Sequence, residues 1–140
     1  MKFWDSSALI PLFVEEDSSA IVRKIVKTDL HMVVWWGAVL ECKSALARLR
    51  REGVISVEEE YSVRGRLKTA AAYWTEITAS EQVRQEASRL LLVHPLRTAD
   101  SLPLAAAIIW AGAPVQEQDF VCLDARLREA ARKEGFLLLP

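Results

Sequence analysis

The sequence predicts a single α/β domain over residues 1–140, with a central parallel sheet between two layers of helices. Three observations lead to this fold class. The chain has 140 residues, of which 51% are hydrophobic and 26% charged, and this length and composition are typical of one domain with a full apolar core. Short apolar runs alternate with longer amphipathic segments, which is the pattern of a three-layer α/β/α sandwich. No repeat or low-complexity linker divides the chain.

The first two predicted strands are short apolar runs, each followed by a helix. Residues 2–5 form the first strand, because the run ends in side-chain oxygens able to cap a helix over Ala8–Val14. The next helix begins at Asp17-Ser18-Ser19 and carries an apolar stripe to about Asp29. Met32–Trp35 is continuously apolar, as in a parallel strand that is covered on both faces.

Two long helices follow, and we expect them to form an antiparallel hairpin inserted beside the sheet. The first covers Ala38–Glu52, where apolar residues recur at spacings of three and four and Gly53 ends the pattern. Ser56 and Glu59 match a capping box, which begins a second helix that runs toward Tyr73-Trp74.

The second half of the chain continues the alternation of helices and strands. A proline or a glycine follows each predicted helix closely and marks its end. The remaining predicted elements are helices over Ser80–Leu92 and Thr98–Ala111, a strand over Phe120–Leu123, a helix over Ala125–Glu134 and a strand over Phe136–Leu139.

Four carboxylates lie at or near predicted junctions between strands and helices. Asp5 and Asp124 each end a strand, whereas Glu41 and Asp100 lie near the beginnings of helices. In an open parallel sheet the functional site lies beyond the carboxyl ends of the strands, so we expect these acids to converge. Taken singly, each acid could equally be a helix cap or a complement to the helix dipole. Their shared position at such junctions favours one site.

The setting of Asp100 indicates that this site holds a cation. On a continuous helix Asp100 shares the apolar face of Leu104 and Ile108, and a carboxylate directed at the interior is costly without compensation. Clustered carboxylates also repel one another, and a divalent cation removes this repulsion. Oxygen ligands without histidine or cysteine favour Mg²⁺ or Mn²⁺. Such a site suits hydrolysis of a phosphodiester bond.

Four segments together resemble the PIN-domain family, specifically the VapC-like toxin ribonucleases of type II toxin–antitoxin systems. The resemblance spans nearly the whole chain and rests on the order and spacing of the segments. They are Asp5-Ser6-Ser7-Ala8-Leu9, Glu41-Cys42-Lys43-Ser44-Ala45-Leu46-Ala47-Arg48, Leu96-Arg97-Thr98-Ala99-Asp100-Ser101-Leu102 and Asp124-Ala125-Arg126-Leu127-Arg128-Glu129-Ala130-Ala131.

The resemblance implies a PIN-like fold and specific roles for several residues. Asp5, Glu41 and Asp100 match the three principal acids of the family, Asp124 matches a more variable fourth, and Ser6 matches a hydroxyl that supports the network of metal and water. It further implies an endoribonuclease that depends on Mg²⁺ or Mn²⁺, a homodimer, and a small antitoxin partner that covers the acidic site.

Two residues depart from the family pattern. Pro103 stands where a helix-forming residue is usual, so the helix of Asp100 could begin after Thr98 and turn this acid away. Cys122 replaces a hydroxyl residue that is common two positions before the fourth acid. These departures keep open a second hypothesis, in which the chain is a catalytically impaired PIN-like module that binds RNA or protein. Asp119 is a spare acid for which a solvent-facing role is expected.

The basic residues predict only a local surface for RNA. The formal net charge is −1, so no general positive field attracts nucleic acid. Between Lys43 and Lys68 basic residues outnumber acids, and cations here could contact phosphates beside the site. A solvated helical hairpin is an equally valid interpretation. The candidate RNA contacts are Arg48, Arg51, Arg64 and Arg66.

Other residue types limit the remaining functions. Cys42 and Cys122 lie far apart and outside any zinc motif, so both are expected to be reduced core residues. His31 and His94 are expected in surface loops without a catalytic role. The sequence shows neither a signal peptide nor a membrane span, which predicts a soluble cytoplasmic protein. Phosphatases of the haloacid-dehalogenase type and response-regulator receivers are disfavoured, since Ser7 and the segment Phe136–Pro140 lack their required Asp and Lys.

Overall fold

Five parallel strands form the central sheet of the computed structural model, which describes residues 1–140. In space the strands follow the order β3-β2-β1-β4-β5, and in the register Phe3 lies opposite Val33 on one side and Phe120 on the other. The chain runs outward from β1 to β3 and then returns to the other side of β1, so the strand order reverses between β1 and β4. The strands are β1 (Lys2–Trp4), β2 (Met32–Trp35), β3 (Thr75–Ile77), β4 (Asp119–Val121) and β5 (Leu137–Leu139).

Seven α-helices cover the two faces of this sheet. A short 3-10 turn over Ile10–Leu12 continues the first of them. None of the helices has the length and apolar character that spanning a bilayer requires. The helices are α1 (Ser6–Leu9), α2 (Ser19–Thr28), α3 (Ala38–Arg51), α4 (Val57–Ala71), α5 (Glu81–Val93), α6 (Thr98–Ala111) and α7 (Ala125–Lys133).

The strands divide the core into two halves because successive side chains point to opposite faces of a sheet. Phe3 and Phe120, whose rings stack at 5.4 Å between centroids, pack with residues of α5, α6 and α7. Trp4, Val34 and Val121 pack on the other face with residues of α1 to α4. The predicted α/β/α sandwich around a parallel sheet is confirmed.

Three predicted elements differ from the observed ones. The edge strand β3 was not predicted, because Thr75 and Glu76 are exposed and the strand carries no apolar run. The first helix begins at Ser6 rather than Ala8, with Asp5 as its cap, and becomes a 3-10 turn at Pro11. Strand β4 ends at Val121, because the backbone N–H of Leu123 donates to the Ser7 hydroxyl at 3.0 Å instead of to a neighbouring strand.

Helix α6 begins at Thr98 despite Pro103 and runs unbroken to Ala111. It is buried around most of its circumference from Ser101 to Ile108, as expected for a helix that is apolar on all sides. Asp100 keeps its position in the first turn.

The two histidines differ in their surroundings. His31 is exposed as predicted, whereas the side chain of His94 is only 6% exposed and its Nε2 lies 2.6 Å from Glu134 Oε1. His94 does lie in the loop after α5, as predicted, but its side chain is buried rather than exposed. Arg89 also binds Glu134, and the resulting cluster joins the end of α5 to the end of α7.

Candidate active site

The four predicted acids line a single cleft of about 340 Å³ at the reversal of strand order. Asp5 follows β1 and caps α1, and Asp124 follows β4 and caps α7. Glu41 lies in the first turn of α3 and Asp100 in the first turn of α6. The cleft therefore collects acids from both layers of helices and from the two central strands.

Asp5 is buried and is held through one of its two carboxylate oxygens. Its Oδ2 accepts hydrogen bonds from the Ser7 backbone N–H at 3.0 Å and from the Ser7 hydroxyl at 2.5 Å. The Cys122 thiol also lies 3.7 Å from Oδ2. All three contacts go to Oδ2, so Oδ1 remains available to a ligand.

The other three acids follow the same pattern. Ser6 Oγ donates to Glu41 Oε2 at 2.8 Å, the Leu127 backbone N–H donates to Asp124 Oδ1 at 2.8 Å, and the Arg97 backbone N–H makes a long contact of 3.4 Å to Asp100 Oδ2. In each case the partner oxygen accepts no such bond. Each carboxylate is oriented by the protein and keeps one oxygen for a ligand.

Burial and mutual repulsion disfavour the charged forms of the two inner acids. Burial raises the pKa of Asp5, and the charge of Asp124 raises it further, although hydrogen bonds from Ser7 oppose the shift. Burial also raises the pKa of Glu41 to about 7, because it outweighs the hydrogen bond from Ser6, which lowers this pKa; the charges of Asp5 and Asp100 raise it by smaller amounts. A cation in the cleft would relieve both effects.

The side chains of Ser7 and Cys122 both contact Asp5 Oδ2. Ser7 Oγ accepts from the Leu123 backbone N–H, so its single proton is directed to Asp5. The Cys122 sulfur lies 3.6 Å from Ser7 Oγ, and burial raises the pKa of this thiol, which stays protonated. Sequence reasoning selected Ser6 and missed Ser7, although both belong to the same Asp-Ser-Ser segment.

The fit of the cleft to a cation rests on its donor atoms. They are carboxylate oxygens, which hard divalent cations prefer. No three His, Cys, Asp or Glu side chains in this structure lie close enough to hold one ion by themselves. Mg²⁺ commonly takes one or two carboxylates and completes its shell with water, which is compatible with this arrangement.

Two further charged residues reach this cleft. Arg48 lines it, as does the exposed carboxylate of Glu16, which sequence reasoning did not select because it lies in a loop before α2. Arg51 lies exposed at the end of α3. Arg64 binds Glu60 and Arg66 donates to the Phe13 carbonyl at 3.0 Å, and neither lines the acidic cleft. Asp119 pairs with Lys2 at the opposite end of β4.

The all-parallel five-stranded sheet flanked by seven helices matches the PIN-like α/β/α fold. Neither a family model nor a curated protein matches the sequence.

Several solved structures are similar to this chain over most of its length. FitAcB from Neisseria gonorrhoeae matches with a TM-score of 0.70 at 12% identity, over 100% of this chain and 97% of that chain. A toxin–antitoxin complex from Klebsiella pneumoniae matches with a TM-score of 0.66 at 13% identity, over 90% and 88%. VapC20 from Mycobacterium tuberculosis, a toxin that cleaves the sarcin–ricin loop, matches with a TM-score of 0.67 at 11% identity, over 93% and 95%. The resemblance to VapC-like toxins is thereby confirmed at the level of the fold.

Proposed function

We propose that this protein is an endoribonuclease that depends on Mg²⁺ or Mn²⁺ and hydrolyses RNA phosphodiester bonds at Asp5, Glu41, Asp100 and Asp124. The arrangement of the four carboxylates in one cleft supports the proposal. Four acids from separate segments line one cleft, and each keeps an oxygen free of protein hydrogen bonds.

The four acids would hold the cation, and the neighbouring serines orient two of these carboxylates. When bound, the cation supplies polarisation of the phosphate and activation of water. Asp5 and Glu41 are the inner acids, and Ser7 and Ser6 fix one oxygen of each. Asp124 is exposed to solvent, and Asp100 is partly buried.

The solved structures support a role as the toxin of a toxin–antitoxin pair. We expect a small antitoxin that covers the acidic cleft, a homodimer, and a cytoplasmic location. The exposed apolar side chains at the end of α5, Leu92 and Val93 among them, offer a surface for a partner chain. Sedimentation of the purified protein tests the dimer.

Cleavage of RNA by matched variants tests the proposed reaction. The wild type should cleave a panel of structured and single-stranded RNAs with Mn²⁺ and lose this activity in EDTA. Asp5→Asn should abolish cleavage without unfolding the chain, because it removes the charge and keeps the shape. Asp119→Asn, an equal change at the other end of the sheet, should retain activity. Equal cleavage by all three proteins would disprove the assignment.

The second candidate is a PIN-like module that binds RNA or protein without cutting. It is favoured by the thiol of Cys122 beneath Asp5 and by the absence of three metal-binding side chains at one point. Pro103 no longer supports it, since Asp100 stays in the cleft. RNA binding without cleavage in Mn²⁺ would favour this candidate.

A further inference from the structure

A second cleft, of about 550 Å³, continues from the acidic one. The two clefts share Asp100 and Asp124. Beyond these acids the second cleft is lined by Arg97, which precedes α6, and by Arg126, the second residue of α7. The remaining lining residues are alanines, whose small side chains leave room for a ligand between the two arginines.

No protein group binds the guanidinium groups of these two arginines. Most other arginines hold a carboxylate or a carbonyl of the protein. Arg51, Arg97 and Arg126 make neither an ion pair nor a side-chain hydrogen bond, and two of these three line the same cleft. An unpaired arginine beside a cavity is a ready site for a planar anion.

We infer that Arg97 and Arg126 bind a backbone phosphate of single-stranded RNA next to the phosphate that the acids cleave. The inference rests on the proposed function and extends it by naming the path of the substrate. A guanidinium group makes two parallel hydrogen bonds to phosphate oxygens, and a single strand presents its phosphates at regular intervals. The strand would thus lie across the four acids, with Arg97 and Arg126 on one side and, on the other, Arg48, which is paired with Glu52 at 3.9 Å.

This path differs from the one expected from the sequence. Arg64 is held by Glu60 and Arg66 by Phe13, so both would have to leave a protein partner before they could bind RNA. Arg97 and Arg126 need no such exchange. Their contacts are to phosphates rather than to bases, so they should contribute affinity without sequence preference.

Binding of an end-labelled single-stranded RNA, measured by fluorescence anisotropy in Ca²⁺ over a range of salt, tests the inference. Arg97→Ala and Arg126→Ala should each weaken binding by roughly tenfold. The double variant should lower the slope of log K against log salt by about 0.7, since it loses one phosphate contact on a single strand. Arg132→Ala, on the exposed face of the same helix α7 and paired with Glu129, is the matched control and should bind as the wild type does.

The outcomes separate this inference from the proposed function. If the wild type cleaves RNA and the double variant binds with unchanged affinity and salt dependence, the arginine site is wrong and the nuclease stands. If the double variant loses affinity but the wild type never cleaves in Mn²⁺, the arginine site is supported and the nuclease is wrong. If the wild type neither binds nor cleaves RNA, both are overturned.

Discussion

Ser7 fixes the position of Asp5 through two hydrogen bonds to the same oxygen. Its hydroxyl also accepts from the Leu123 backbone, so it ties the end of β1 to the end of β4. A residue that hydrogen-bonds to a metal-binding carboxylate can change metal affinity strongly without contacting the metal itself. Ser7 is therefore a positioning residue for the proposed reaction rather than a catalytic one.

Ser7→Ala should weaken Mn²⁺ binding by about 10- to 100-fold. The hydroxyl normally lowers the pKa of Asp5, so its loss should also move the pH profile of cleavage to higher pH. Titration calorimetry and rates between pH 6 and 9 provide the two measurements. Ser44→Ala, an exposed serine of α3 with no side-chain hydrogen bond, is the control. A loss of rate with unchanged metal affinity and pH profile would contradict a positioning role.

Glu41 makes the stability of the cation-free protein depend on pH. Its pKa rises from 4.5 to about 7 on folding, chiefly because the side chain is buried. Between these pH values the folded chain holds a proton that the unfolded chain has released, so the free energy of unfolding falls as pH increases. In EDTA, Tm should be lower at pH 8 than at pH 5, and Glu41→Gln should reduce this difference. If Tm fell more between pH 5 and pH 8 in the variant than in the wild type, the predicted direction of the pH dependence would be wrong.

Hydrogen-bonded caps set where most helices begin, and these were the most predictable elements. Ser56 and Glu59 form the reciprocal capping box that their spacing predicts, and Ser80 caps α5. Such caps depend on residues three positions apart, which a sequence shows directly. Strand β3 and the pairing of His94 with Glu134 depend on neighbours distant in sequence, so local patterns could not reveal them.

Ser56→Ala should lower the free energy of unfolding by about 1 kcal/mol, because α4 loses a cap for its first turn. Urea denaturation followed by circular dichroism measures the change. Ser88→Ala, an exposed position in the middle of α5 without a side-chain hydrogen bond, should have little effect because alanine is favourable there. Equal destabilisation by both substitutions would argue against the cap.

The positions of the four acids were predictable because parallel strands end at one edge of the sheet, whatever the details of packing. The oxygen each acid leaves free, the role of Ser7 and the arginine-lined cleft were not. Each depends on rotamers and on contacts such as that between Ser6 and Glu41, which join residues far apart in the chain. Topology was visible in the sequence, whereas hydrogen-bond geometry was not.

Mn²⁺ should stabilise the whole domain, since it binds the folded cleft and not the unfolded chain. At a concentration about 100 times its Kd, the free energy of unfolding should rise by about 2.7 kcal/mol, which raises Tm by roughly 5 to 10 °C. Asp100→Asn should gain much less, and Asp119→Asn should gain as much as the wild type. Calorimetric scans with and without Mn²⁺ make the comparison. Equal gains in all three proteins would place the ion elsewhere.

The order of the strands also determines when an active centre can exist during synthesis. Asp5 leaves the ribosome early, but the acidic cleft is not complete until β4 pairs with β1 and Asp124 caps α7. A nascent chain thus lacks the complete acidic cleft for most of translation. If this protein is a ribonuclease, the ribosome that makes it is protected from its own product until the last strands are in place.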